Sequence, residues 1–401
     1  MKVLITGGAG YIGSTIASML LDQGHTPVIL DSLVTGRPEF VQGRIFYQAD
    51  IADRQALQRV FDEHPDIFAT IHCAALIVVP ESVSKPYEYY TENVVKSMEL
   101  FKYLAERGYP RVVFSSSAAV YGSVAGPDFM VTESSPLNPE SPYSRTKYMM
   151  EMILKDFCAA YGLKGIALRY FNPIGGDPQL RTGLHIQYPS HLIGKLVQVA
   201  LGKEPEFHLT GVDWPTRDGS GIRDYIHLWD LARAHLLAVE KFDEVIAGGR
   251  ETDADYAVIN LGTGKGVTVK EFVAAFEQVL GKPVPVVEEG PTAPTSCSAG
   301  RQTCPSARGS PMPSPGARCA IISFTTDQTG VNRYRRPGPA VCFKRLGAPP
   351  TIHRTCPCSR ARKYAPAGST SLHLGAPGPG SSGCAHCGSA CPRHQNGRNA
   401  Q

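Results

Sequence analysis

Short apolar runs alternate with longer segments of helical period over the first 290 residues, the pattern of βαβ units wound around a parallel sheet. Val3–Thr6, Val28–Asp31, Ile45–Asp50, Thr70–Ala75, Arg111–Ser115 and Lys164–Arg169 predict strands. Ile12–Gln23, Arg54–Glu63, Tyr87–Arg107 and Tyr143–Tyr161 predict the helices between them, with Gly24 and Gly162 where C-caps belong. Further on, helices at Asp230–Phe242 and Val269–Leu280 flank a strand at Ala257–Gly262. Thr268-Val-Lys-Glu271 fits a capping box opening the second of these helices. The fold class is therefore α/β.

Beyond residue 290 the alternation stops. Residues 291–401 hold 15 Pro and 13 Gly, about a quarter of the segment, a share typical of low-complexity chain. Their apolar runs are short, Ala320-Ile-Ile-Ser-Phe324 being the longest, and offer little to offset chain entropy. Charge divides at the same place. Twelve Arg and two Lys stand against a single Asp327 in the last segment, a net of +13, while the first 290 residues carry −9. Cysteine divides likewise: only Cys73 and Cys158 precede the boundary, and nine follow it. A zinc module would have to use Cys384-Ala-His-Cys387 and Cys391, with Cys356 and Cys358 nearby, but the nine cysteines are scattered irregularly rather than set in two spaced pairs, so no metal is expected. Arg333, Arg335 and Arg336 beside Tyr334 would attract a polyanion, but that composition alone does not predict a nucleic-acid partner. Met1-Lys2-Val3-Leu4-Ile5 runs directly into a glycine loop, and no run of 18 apolar residues occurs. These features predict a cytoplasmic protein without a membrane partner.

Candidate chemistry lies in the first 290 residues. Gly7-Gly-Ala-Gly10-Tyr11-Ile12-Gly13 follows a strand and opens a helix, the setting of a dinucleotide fingerprint. Glycine there allows a tight turn and close approach of the backbone to a pyrophosphate at the helix N-terminus. Asp31 ends the second strand, where a carboxylate can hold a ribose 2′-hydroxyl and would repel a 2′-phosphate. NAD is favoured over NADP. Phe114-Ser-Ser-Ser-Ala118 ends another strand, at the edge where open α/β sheets bind ligands. Tyr143-Ser-Arg-Thr-Lys147 puts a phenol and an ammonium one helical turn apart. The lysine charge is expected to draw the phenol down from its usual pKa of about 10, towards the range of a general base.

These residues, with Ser115-Ser-Ser-Ala-Ala-Val-Tyr-Gly122, Ser141-Pro-Tyr143, Arg169-Tyr-Phe-Asn-Pro173 and Asp218-Gly-Ser-Gly-Ile-Arg-Asp-Tyr-Ile-His227, resemble the extended short-chain dehydrogenase/reductase family, in particular its nucleotide-sugar 4-epimerases. The resemblance implies a Rossmann-type doubly wound parallel sheet with a smaller, incomplete C-terminal substrate domain. It assigns residues 1–170 to NAD binding, with returns from later segments, and 171–290 to the sugar nucleotide. Tyr143 would be the base, Lys147 its electrostatic partner and Ser117 a hydroxyl donor to the substrate. The cofactor site would comprise Gly7, Gly10, Tyr11, Ile12, Gly13, Asp31, Ser32, Asp50, Ile51, Ala74, Ala75, Asn93, Tyr143, Lys147 and Phe171. Ser117, Asn172, His191, Leu192, Arg223 and Tyr225 would hold a UDP-hexose, the fork of Arg223 suiting phosphate. The implied reaction interconverts UDP-glucose and UDP-galactose through a 4-ketose, with NAD regenerated in each cycle. UDP-uronate or UDP-pentose epimerisation and a non-catalytic NAD-binding product are the alternatives. A homodimer through the Tyr87–Arg107 and Tyr143–Tyr161 helices is also implied.

The chain departs from the family at Ile77, where many epimerases place a lysine, and at Pro189-Ser-His191-Leu192, where asparagine is common. Relatives continue near residue 291 with a further nucleotide-contacting segment and closing helices. Their absence, with the Arg-, Pro-, Gly- and Cys-rich composition, fits a coding frame shifted near that point.

Overall fold

The computed structural model describes residues 1–123, 130–186, 189–248 and 255–290. The zinc, polyanion and shifted-frame readings concern residues 291–401 and lie outside the described residues. The first half contains β1 (Lys2–Thr6), α1 (Tyr11–Asp22), β2 (Thr26–Asp31), β3 (Ile45–Gln48), α2 (Arg54–Glu63), β4 (Ile67–His72), α3 (Val79–Ser84), α4 (Pro86–Tyr90), α5 (Lys96–Arg107), β5 (Arg111–Ser115), α6 (Pro142–Tyr161) and β6 (Lys164–Tyr170). Then come β7 (Asn172–Ile174), α7 (Leu192–Ala200), β8 (Phe207–Thr210), β9 (Ile222–His227), α8 (Leu228–Glu240), α9 (Phe242–Gly248), β10 (Tyr256–Leu261), β11 (Gly266–Thr268), α10 (Val269–Leu280) and β12 (Val286–Glu289).

Seven strands form one parallel sheet in the order β10-β6-β5-β4-β1-β2-β3. The winding reverses between β1 and β4, which opens a crevice at their C-terminal ends. Strands buried on both faces read as continuous apolar runs, and Val3, Leu4 and Ile5 of β1 are wholly buried. On one face α1 and α8 pack Ile16, Ala17 and Leu20 with Leu228, Leu231 and Ala232. On the other, α2, α5 and α6 contribute Leu57, Phe61, Leu100, Phe101, Leu104, Met150 and Leu154. Two small sheets follow, β11-β9-β7 and β12-β8, around a modest cluster of Leu196, Val199, Phe207, Leu209, Val273 and Val284. No helix among the described residues is long and apolar enough to cross a membrane.

Two of the expected elements differ most from expectation. β4 begins at Ile67 rather than Thr70, pairing Lys2 with Ile67, and Cys73–Ala75 leave the sheet as a loop. The reason is local: a Cβ on Gly7 would stand 2.6 Å from the Ala74 nitrogen, so the two backbones meet here. The helix expected at Tyr87–Arg107 is divided. α4 ends at Tyr90, Thr91–Val95 forms a π turn, and α5 follows. That turn aims buried Asn93 at the loop after β4, where it accepts from Leu76 N (2.7 Å) and donates to Leu76 O (2.9 Å).

Candidate active site

The glycine loop closes on itself at the mouth of the β1–β4 crevice. Gly13 lies so near the turn that a Cβ there would fall 2.3 Å from Gly7 O, and Gly7 itself holds φ +71°, which favours glycine. Gly10 precedes α1 without a side-chain cap, and the first turn has no acidic residue. Its amide N–H groups are therefore left to an anion. Asp31 is buried and braces this loop, accepting from Ala9 N at 2.9 Å and Leu33 N at 2.8 Å. The cradle and the carboxylate fit a dinucleotide.

The other predicted cofactor residues occupy adjoining strand ends. Ser32 follows β2, and Ala49 N donates to Asp31 O (3.1 Å), which brings Asp50 and Ile51 alongside. Asp50 is already committed: Lys96 Nζ lies 2.6 Å from it and Ala52 N donates to it. Tyr11 and Ile12 open α1, with the Tyr11 hydroxyl donating to Gly175 O at 2.6 Å. Ala74 and Ala75 line the loop beside Gly7, while Phe171 N reaches Leu261 O past the end of β6. Ile77, at the family's lysine position, is half exposed.

Ser115, Ser116 and Ser117 leave β5 at the same edge, and all three are buried. Ser141 caps α6 in a reciprocal capping box with Ser144, and Pro142 sits at its first turn, so the chain enters the helix immediately before Tyr143. Tyr143 and Lys147 face the sheet, 7% and 3% exposed. The Ser117 hydroxyl accepts from Ala119 N at 3.2 Å and lies close enough to the Tyr143 phenol to favour its ionised form. Lys147 Nζ donates to the Ser115 carbonyl at 2.9 Å and lies over the Phe114 ring.

This geometry corrects one expectation. Burial pushes the Tyr143 phenol above its ordinary pKa, and the opposing influence is the Ser117 hydroxyl rather than Lys147. Burial also lowers Lys147 to about 8, against the nearby Cys73 and Glu151. The pair is brought together, but desolvation raises the phenol in the free protein.

Asn172 and Tyr225 are paired across β7 and β9, and Asn172 Nδ2 donates to Asp224 O at 3.1 Å. Tyr225 packs on Phe272, ring centroids 4.7 Å apart. Arg223 is exposed two residues earlier on β9, and its Nη1 donates to Ile222 O at 2.7 Å. The neighbouring carboxylates are engaged elsewhere: Asp224 accepts from Thr263 and Gly264, and Asp218 from Ser220 and Thr268. An ion pair with either, the bland account of Arg223, is not formed. His191 and Leu192 open a separate element, α7, where Leu192 packs on the small apolar cluster and burial lowers the half-buried His191.

Sequence reasoning missed the polar groups behind the site. Glu151 and Arg169 form a buried bidentate pair. A charged residue four places beyond Lys147 on the same helical face was the available signal. His235 was also missed. Its Nδ1 lies 2.9 Å from Leu231 O, so it carries the proton there, and Nε2 accepts from the Ser115 hydroxyl at 3.0 Å.

Comparison with known proteins places the chain in a family. Residues 3–262 match the model of the NAD dependent epimerase/dehydratase family. The chain is 42% identical over 285 residues to a UDP-glucose 4-epimerase of Halalkalibacterium halodurans, an overlap of 71% of this chain and 82% of that protein. It is likewise 42% identical over 295 residues to that of Bacillus subtilis, covering 71% and 84%. The UDP-glucose 4-epimerase of Brucella ovis in complex with NAD superposes with a TM-score of 0.67 at 38% identity, covering 73% of this chain and 86% of that one. The Stenotrophomonas maltophila enzyme, with bound NAD and formylated UDP-arabinopyranose, gives 0.67 at 39% identity and the same coverage.

Proposed function

The chain belongs to the NAD dependent epimerase/dehydratase family, and from that premise we propose that it inverts C4 of a UDP-hexose, interconverting UDP-glucose and UDP-galactose. The observation that carries this reading is the buried Tyr143 phenol, with Ser117 nearby and Lys147 one turn on and bound to the Ser115 carbonyl, at the crevice edge beside Gly7–Gly13. NAD, when bound, supplies the acceptor and donor of the sugar C4 hydride. Gly7, Gly10, Tyr11, Ile12 and Gly13 would hold its pyrophosphate, Asp31 and Ser32 a ribose, Asp50 and Ile51 the adenine. Ala74, Ala75, Asn93 and Phe171 would line the path to the nicotinamide end.

Within this frame Tyr143 takes the proton of the sugar 4-hydroxyl and later returns it. Burial raises the phenol in the free protein, so its deprotonation in the loaded site would rely on the Lys147 charge, while Ser117 donates to the same oxygen region. Residues 1–170, with β10, form the NAD-binding portion and 171–290 the sugar-nucleotide portion. Arg223 is exposed, and its neighbours Asp224 and Asp218 are engaged elsewhere, which leaves its charge for a diphosphate. Asn172, Tyr225, His191 and Leu192 complete that side. Exposed Val83, Tyr87, Val95 and Met152 on α3 to α6 support a homodimer, which sedimentation of the purified protein checks.

The decisive assay converts UDP-galactose to UDP-glucose with the full chain. Tyr143→Phe is expected to reduce kcat about a hundredfold to ten-thousandfold while leaving NAD affinity within about twofold. Retained turnover in that variant ends the assignment of Tyr143. A second reading, a UDP-pentose or UDP-uronate epimerase, draws support from the arabinopyranose nucleotide held by the Stenotrophomonas protein. A higher kcat/KM on UDP-arabinose or UDP-glucuronate than on UDP-galactose would select it.

A further inference from the structure

Behind the Tyr143 and Lys147 side chains lies a polar assembly with no direct part in the proposed proton transfer. Glu151 continues their row on α6, one turn beyond Lys147. Its carboxylate takes Arg169 Nε at 2.9 Å on one oxygen and Nη2 at 2.6 Å on the other, and both side chains are at 5% exposure or less. Arg169 Nη1 continues to the Tyr121 hydroxyl at 2.9 Å, which donates to Asn260 Oδ1 at 2.7 Å. The same Glu151 oxygen that faces Arg169 Nε also accepts the Ser116 hydroxyl.

A buried ion pair gives little net stability, because desolvating both charges offsets their attraction. Its value lies elsewhere, in the geometry it fixes. Ser116 is the middle of three residues. Ser115 on one side offers its carbonyl to Lys147, and Ser117 on the other places its hydroxyl near Tyr143. Consecutive Cα atoms are about 3.8 Å apart, so an anchor on Ser116 constrains both neighbours. We propose that Glu151, held by Arg169, is a positioning residue: its carboxylate seats Ser116, keeping the Ser115 carbonyl on Lys147 and the Ser117 hydroxyl on Tyr143. The inference rests on the reading of Tyr143 as the base.

Ser116→Ala tests it in the full-length protein. The substitution removes only the link to Glu151, leaving the bidentate pair and the Ser116 N to Leu168 O bond in place. The groups facing Tyr143 are Ser117, Tyr89 from α4 and Tyr170 from β6, with Lys147 one turn along the same helix, and none is altered. Freed of its anchor, Ser117 donates to the phenol for a smaller part of the time. The Tyr143 phenolate, followed by ultraviolet absorbance with the Tyr143→Phe variant as blank, should then titrate about one pH unit higher. The alkaline-favouring limb of kcat should move with it, with kcat at pH 7 about tenfold lower and KM within about twofold. An unchanged phenol titration and kcat overturns the proposal. So does a joint fall in turnover, NAD affinity and melting temperature, since that marks Ser116 as a packing residue. If the unaltered chain turns over no UDP-sugar, the functional reading fails instead, and the phenolate titration still decides whether Glu151 sets the Tyr143 hydroxyl through Ser116.

Discussion

The seven-stranded sheet and the two small sheets that follow it handle charge in opposite ways. In the large sheet region Lys147, Glu151, Arg169, His72 and His235 are all buried, each hydrogen-bonded to a neighbour. Apolar clusters on both faces exclude water there, so each polar contact acts in a low dielectric and an unmet one is costly. In the smaller region the apolar cluster is thin, β12 is exposed along its whole length, and Val279 of α10 is 90% exposed. Its cations, Arg223 and Lys195 among them, stand at or near the surface. Proton chemistry needs the first environment, where a phenol can be tuned by one hydroxyl. Holding a charged, departing nucleotide needs the second.

The sharpest way to break this contrast is to remove one half of the buried pair. Glu151→Ala leaves Arg169 buried and uncompensated, although burial is now outweighed by the hydrogen bonds and charge of Glu151 that keep it protonated. The expected loss of unfolding free energy is about 3–5 kcal/mol, read as a drop in the urea midpoint. A loss below about 1 kcal/mol would mean that water reaches Arg169 and that the sheet region is less dry than its packing indicates.

The next largest effect is on pH. His72 lies between Thr6 Oγ1 (2.7 Å) and Ser97 Oγ (2.8 Å), and burial lowers it to about 3, with Lys147 adding to the effect. Burial lowers His235 to about 4, against its bond to Leu231. Both are neutral when folded, whereas an unfolded imidazole titrates at about 6.5. The unfolded chain therefore binds more protons, so this contribution is complete above pH 6.5 and is lost as pH falls towards 4 and 3. At pH 5 each costs about 2 kcal/mol relative to pH 7. Urea unfolding at the two pH values checks it, and a His72→Asn/His235→Asn double variant should show a visibly flatter dependence. Around the two small sheets the device is weaker: His191 is only half-buried, and His208 is half exposed between Glu206 and Glu289.

The two regions were not equally legible in the sequence. Where a long period or a cap determines the element, the reading and the structure coincide: α2, β5 and α10 have the expected bounds, and Thr268 and Glu271 make both bonds of the capping box. Strands β7 and β11 span three residues each, too few for alternation to register, and β12 is exposed on both faces. Positions of chemistry were easier to read than their tuning. Tyr143 and Lys147 fall on one helical face as their spacing requires, but the sign of the Tyr143 shift depends on depth of burial, and spacing carries no depth. Glu151 and Arg169 show the same limit, since their partnership crosses from α6 to β6 and exists only once the helix is laid on the sheet.

The smallest effect completes the comparison. Lys195 of α7 lies 2.7 Å from Glu204, with side chains 40% and 33% exposed, a pair as short as the buried one. Distance alone would equate them. Solvent around the smaller region supplies nearly the same stabilisation to each separated charge, and ordering two long side chains offsets part of the rest. Lys195→Ala should therefore cost under about 1 kcal/mol in urea unfolding, and less still in about 0.5 M salt, where screening extends over only a few ångströms. A loss comparable with that of Glu151→Ala would show that water is excluded from α7 as well, and the division between a dry sheet and a wet smaller region would not hold.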